Sequence, residues 1–200
     1  MSELQKLAAE IAKCTRCPLH QGRTNTVPGE GREDAEIMFI GEAPGFHEDQ
    51  QGLPFVGASG TFLESLLESI DLTREDVFIA NVIKCRPPGN RDPSSEEIEA
   101  CRSFLDRQIE LIQPKIVVTL GRFSMARVFP DARISRIHGQ PRKIEGVIYY
   151  PMYHPAAALH RPSLRSTVKE DMQRIPKLIE HAAQMTESSM PMEAKQMNMF

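Results

Sequence analysis

The sequence has only four cysteines in 200 residues, no long apolar run and no strong excess of either charge. Each shortage excludes something. Nowhere do the roughly eighteen consecutive apolar residues of a membrane-spanning helix occur, and the opening MSELQKLAAEIAKC carries no basic segment leading into an apolar stretch. The expected location is therefore cytoplasmic and reducing. Cysteine is too sparse for a disulfide scaffold, and none is needed: a chain of this length that is 40% hydrophobic removes roughly 70% of its unfolded surface from water as one domain. In a reducing compartment four cysteines point to metal binding or chemistry. The formal net charge of -3 argues against a generally basic protein. Charge is nevertheless unevenly placed. Arg133 to Lys143 holds four basic residues plus His138 and no carboxylate, and His154 to Arg165 again lacks acids, so a local phosphate-binding face is possible.

No internal repeat is visible. Ser2 and Gln5 have the spacing of a capping box for a first helix whose Leu4, Leu7, Ala8 and Ile11 share one face. The segments EIMFIG, VFIANVI, KIVVTLG and VIYYPMY are short, nearly continuous apolar runs of the kind covered on both faces. Helical patterns alternate with them. The expected fold is α/β: a three-layer α/β/α sandwich around a mostly parallel four-stranded sheet with right-handed crossovers. Pro176 is expected to kink or restart the last helix. Residues 1–183 form the domain, while 184–200, polar and Met-rich, read as a flexible tail. In such a sheet the working crevice lies at the carboxyl ends of the strands. The loops there, GEAPGFHEDQQGLPFVGASG, KCRPPGNRDP, GRFS and HPAAALHRP, are also the richest polar segments.

Cys14 and Cys17 form a C-x2-C pair, whose short turn lets two thiolates face one metal or cluster. Cys85 ends a strand and Cys101 sits in the following helix, so a βα unit brings them together. Four thiolates on one centre is the better reading than four unrelated cysteines. Spacing alone does not choose between zinc and iron-sulfur, although a usual zinc ribbon has a second close pair.

Taken together, GEAPG followed by ED and G-x-PFVG, then NVIKCRPPGNRDP, then YHPAAAL resemble the family 4 uracil-DNA glycosylases over about residues 4 to 180. The resemblance implies a structural 4Fe-4S cluster on Cys14, Cys17, Cys85 and Cys101, pinning both ends of the PPGNRDP loop beside a DNA groove. It implies that uracil-containing single- and double-stranded DNA is the substrate, that uracil is flipped out and its N-glycosidic bond hydrolysed, and that the enzyme is cytoplasmic and nucleoid-associated. Phe55 would stack on the uracil ring. Gly41, Glu42 and Ala43 would line the uracil, with main-chain N–H groups of Glu42 and Ala43 as contacts. Asn81 would read N3–H and O4; cytosine presents the reversed pattern and leaves buried groups unpaired. His154 would donate to uracil O2 as the bond breaks, and Glu42 would stabilise the cationic sugar or orient water. Glu48 would crowd the 5-methyl group of thymine, unless it is a solvated loop charge. Gly57 and Gly60 either present N–H groups to a phosphate at a helix start or simply turn the chain. Leu159 would wedge into the space left by the flipped base, with Arg161 and Arg165 on phosphates. No histidine occupies the RPPGNRDP loop, so free uracil release rather than covalent capture is expected.

QMNMF at 196–200 resembles a bacterial sliding-clamp-binding peptide, Gln196 making polar contacts and Met199 and Phe200 filling an apolar pocket. No heptad or obvious interface is present, so a monomer is expected. The competing class, a non-catalytic iron-sulfur or zinc protein that binds nucleic acid or carries electrons, has no reason to gather Phe55, Asn81 and His154 around one crevice.

Overall fold

The computed structural model describes residues 1–187. In chain order its elements are α1 (Glu3–Ala12), β1 (Glu30–Gly31), β2 (Ile37–Gly41), α2 (Phe46–Gln51), α3 (Ala58–Glu68), β3 (Phe78–Asn81) and α4 (Ser95–Ile112), then β4 (Ile116–Leu120), α5 (Arg122–Ala126), α6 (Ile134–Ile137), β5 (Arg142–Ile144), β6 (Val147–Met152), α7 (Pro155–His160) and α8 (Leu164–His181). The capping box holds at Ser2 and Gln5, and a second one, Ser94 with Glu97, starts α4.

The four apolar runs are the four parallel strands, in the spatial order β3-β2-β4-β6. The sheet has six strands rather than four, because a short antiparallel strand is added at each edge: β1 beside β3 and β5 beside β6. Neither addition has an apolar run to announce it. β1 is two residues long, and a Cβ on Gly31 would lie 1.9 Å from the Val77 carbonyl oxygen, so only glycine lets the edge close. β5 turns into β6 through Glu145 and Gly146, both with positive φ (52° and 84°), the backbone of a tight hairpin.

Alternate residues of β2 face opposite layers. Ile37 and Phe39 pack with Leu63, Leu66 and Leu67 of α3 and Val168, Met172 and Ile175 of α8. Met38 and Ile40 pack with Leu7 and Ile11 of α1 and Phe104 and Leu105 of α4. This is the expected three-layer sandwich. α8 is one helix through Pro176, contrary to the expected restart; buried Val168, Met172 and Ile175 before the proline and partly buried Leu178 and Ile179 after it hold the helix on the core. The chain also stays attached beyond residue 184: Glu187 bridges to Lys143 and accepts from the Gly146 N–H at 3.2 Å. Gln196, Met199 and Phe200 lie outside the described residues. No helix among the described residues is long and apolar enough to cross a membrane.

The register positions the site. Gly41 is aligned with Asn81, and Leu120 with Met152. The segments that leave these strand ends therefore emerge along one edge of the sheet, beside the switch point between β2 and β4, from which the chain leaves β2 toward β3 on one side and leaves β4 toward β6 on the other.

Candidate active site

β2 ends on Gly41, and the ladder continues beyond it, with Val82 N–H donating to the Gly41 carbonyl at 3.0 Å and Ile83 N–H to that of Glu42 at 3.2 Å. A Cβ on Gly41 would lie 2.4 Å from Asn81 Oδ1 and 2.7 Å from Phe55 Cζ. Glycine is thus what allows the amide and the aromatic ring to meet at the floor of the crevice. The Phe55 ring in turn stacks against His154, with centroids 5.5 Å apart and planes 25° from parallel. Gly41, Phe55, Asn81 and His154 are brought together.

Phe55 is held in a conformation it does not favour, at φ +53°. Three groups impose it. Arg74 donates to the Phe55 carbonyl at 2.9 Å and to the Pro54 carbonyl, while its own position is fixed by Glu30 and Glu64. Gly60 makes room, since a Cβ there would stand 1.8 Å from the Phe55 carbonyl oxygen. Glu48 accepts from the N–H groups of Val56 and Gly57, both at 2.9 Å, and from Gly45 at 3.1 Å. Glu48 is therefore buried, only 8% exposed, and is not a solvated loop charge. Gly57 and Gly60 form a turn: their N–H groups are already taken by Glu48 and by the Gly57 carbonyl.

His154 is the N-cap of α7, and its Nδ1 accepts from the Ala156 N–H at 3.1 Å. That bond leaves the ring proton of the neutral imidazole on Nε2. Burial pushes its pKa down to about 4, against a smaller upward pull from Glu48. His154 is consequently a neutral donor near pH 7. Glu42, at the mouth of the crevice, is raised above the ordinary carboxyl range by burial and by Asp92, with Arg122 opposing. Arg122 is itself paired with Asp92. Ala43 is half-buried beside Glu42. Leu159 is half-buried near the end of α7, with Arg161 and Arg165 exposed just beyond it.

Behind β3 lies a second cluster. Cys14 follows α1, Cys17 caps the short turn Pro18–Gln21, Cys85 lies just beyond β3 and Cys101 is within α4; all four line one cavity. The thiols are free. Burial pushes Cys101 up to about 11 and raises Cys85 as well; neighbouring thiols add to both shifts. N–H donors already surround them: Arg23 reaches Cys85 Sγ at 3.2 Å and the Arg16 main chain reaches Cys14 Sγ at 3.5 Å. Among the described residues, no group of three or more His, Cys, Asp or Glu is drawn together tightly enough to hold a single ion.

Sequence reasoning passed over Arg74 and Lys84. Arg74 sits in a polar turn with no motif to distinguish it. Lys84 left a trace, a lone charge between Ile83 and Cys85 in an otherwise apolar run. It is 1% exposed.

The sequence model of the uracil DNA glycosylase superfamily matches residues 28–177. The chain is 49% identical over 188 residues to the type-4 uracil-DNA glycosylase of Sulfurisphaera tokodaii, covering 89% of this chain and 86% of that protein. It is 48% identical to the type-4 enzyme of Archaeoglobus fulgidus, covering 89% of this chain and 94% of that protein, and 48% identical to that of Saccharolobus solfataricus, over 88% and 86%. With the matched segment spanning the crevice from Gly41 to His154, this chain belongs to the uracil DNA glycosylase superfamily, in its type-4 branch.

Proposed function

We infer that this chain is a DNA repair glycosylase that flips uracil out of DNA and hydrolyses its N-glycosidic bond, leaving an abasic site. The observation that carries the reading is the convergence of a fixed neutral imidazole, a buried amide and an aromatic ring on one glycine-floored crevice.

Extruding a nucleotide costs a few kcal/mol, which the pocket has to offset. Phe55 offers a flat face, worth about 1–3 kcal/mol of base stacking. The Asn81 amide carries both a donor and an acceptor, so it pairs with uracil N3–H and O4 and leaves cytosine mismatched. As the bond to C1′ breaks, negative charge gathers on O2. The Nε2–H of His154 is the donor for it, and an imidazole that is already neutral gives a hydrogen bond without surrendering a proton. Glu42 faces the positive sugar, where a carboxylate stabilises charge or orients water; main-chain N–H groups of Glu42 and Ala43 complete the uracil contacts. Leu159 fills the vacated stack, and Arg161 and Arg165 hold phosphates. Glu48 acts on selectivity through the loop it fastens, fixing the wall that faces the pyrimidine 5-position.

Cys14, Cys17, Cys85 and Cys101 would hold a structural 4Fe-4S cluster. Their chemistry fits: two buried thiols, Cys85 and Cys101, and two half-buried ones, Cys14 and Cys17, line one cavity, with N–H donors directed at the sulfurs of Cys14 and Cys85; burial holds Cys85 and Cys101 protonated, and iron would draw off those protons on binding. When bound, the cluster supplies a rigid pin between α1, the β3 end and α4. The tail peptide containing Gln196, Met199 and Phe200 serves a sliding clamp; deleting 196–200 should abolish clamp association and leave excision on naked oligonucleotide intact, whereas unchanged clamp binding would refute that role. The protein works as a monomer on single- and double-stranded DNA in the nucleoid.

Release of free uracil from a labelled uracil-containing oligonucleotide tests the function. The expected products are uracil and an alkali-labile site; intact substrate, or a denaturation-resistant protein–DNA adduct, overturns the reading.

A further inference from the structure

Lys84 is enclosed on every side, with 1% of its surface exposed. An amino group in that position is tolerated only when its donors are used. Two protein acceptors meet it: the Asn81 main-chain carbonyl at 2.8 Å and Gln108 Oε1 at 2.6 Å. Gln108 is fixed in turn, its amide nitrogen donating to the Pro28 carbonyl at 2.6 Å, while the Lys84 carbonyl accepts from Val27 N–H at 2.8 Å.

The reason this knot exists lies in the sheet. Just before β3 the Val77 carbonyl accepts from Arg32 N–H at 3.1 Å, and Ile79 is aligned with Glu30; by the alternation of an extended strand, Asn81 is the next residue whose main chain faces that edge. β1 pairs only as far as Ile79. The next carbonyl on that edge, Asn81, has run past the end of its partner strand. Lys84 supplies the donor that β1 does not.

We propose that Lys84 is a positioning residue for uracil recognition: by holding the Asn81 carbonyl it fixes the residue whose side-chain amide reads the base. The inference rests on the proposed role of Asn81. Lys84 also lines the cysteine cavity; the proposal gives its amino group a task on the crevice side, and it makes α4, through Gln108, part of the machinery that sets the amide.

A double-mutant cycle tests it. Single-turnover uracil excision is compared for the unaltered chain, Lys84→Met, Asn81→Ala and the two together. Methionine keeps the stem and removes the Nζ donors. Misplacement by about 1 Å costs up to about 100-fold, so Lys84→Met should lower the rate by about 10–100-fold when Asn81 is present. Without the Asn81 amide the same change should cost less than about 3-fold, because there is no longer an amide to misplace. Equal losses in both backgrounds, or no loss with Asn81 intact, overturn the proposal and leave the Asn81 reading standing. A full rate for Asn81→Ala alone instead overturns the Asn81 reading itself. Should Lys84→Met fail to fold by circular dichroism and melting, Gln108→Leu enters the same cycle. The expectation is then a smaller loss, about 3–10-fold, that also disappears without Asn81; a loss that persists overturns the proposal.

Discussion

The crevice and the cysteine cavity are reached from the same strand end, Asn81 closing β3 and Cys85 following just after it, yet they are built in opposite ways. Around the crevice the chain's own hydrogen bonds fix the geometry: Arg74 and Glu48 clamp the loop that carries Phe55, and the Ala156 N–H fixes His154. Around the cysteines, burial raises Cys85 and Cys101 and crowding among the thiols raises them further. Hydrogen bonds from the chain itself thus hold the crevice residues in place, whereas the cysteine cavity is shaped mainly by burial. On the proposed function the first is preorganised for chemistry, and the second is where a bound cluster would add stability.

Substitutions should separate the two. The largest effect on catalysis is expected for His154→Ala, a loss of about 10²–10³ in single-turnover rate, the usual worth of one donor to a developing anion. Visible absorbance and melting temperature should stay unchanged, and a loss of either would break the separation. Next comes Gly60→Ala, whose Cβ collides with the Phe55 carbonyl; displacement of the stacking ring should cost about 100-fold in rate, again with the absorbance retained. Cys101→Ser should do the reverse. The visible absorbance should vanish and Tm should fall by about 10 °C, the shift that a loss of about 3–5 kcal/mol produces in a chain of this size. A normal Tm for that variant would mean that the cavity needs no added group. The smallest effect belongs to Arg161→Ala, a few-fold weaker binding with a salt slope lowered by about one.

The signs of the pKa shifts define the pH behaviour. His154, lowered to about 4, keeps its neutral form as pH falls from neutrality and becomes an imidazolium, giving up the Nδ1 acceptor that Ala156 N–H uses, only as pH passes down through that value. Glu42, raised by burial, ionises later than an ordinary carboxyl group. The acidic limb of the excision rate is therefore expected to follow Glu42 rather than His154, and to move in Glu42→Gln.

Much of this arrangement was legible in the residues. Four apolar runs announced the parallel strands because strands buried on both faces have no polar side to interrupt them. Asn81 stood out as an amide within such a run, and the four cysteines stood out by scarcity. The edge strands were hidden: β1 and β5 are too short and polar to produce a pattern. Arg74 and Lys84 were hidden for another reason. Their importance comes from carbonyl groups that the fold leaves without partners, Phe55 in a strained loop and Asn81 beyond the last residue of β1, and no side-chain pattern records an unpaired carbonyl. Glu48 was read either as a sensor of the thymine 5-methyl group or as a solvated surface charge; its burial, with three main-chain N–H groups on its carboxylate, removes the second of these.

The central claim is that the crevice presents a neutral imidazole with its proton on Nε2. The most direct measurement is nitrogen-15 NMR of the His154 ring, titrated from about pH 8 down to about pH 5, a range that spans the ordinary histidine pKa. The expected result is an Nε2-protonated neutral ring throughout. An imidazolium with both nitrogens protonated, appearing on passing about pH 6.5 as in an unperturbed histidine, would contradict the account.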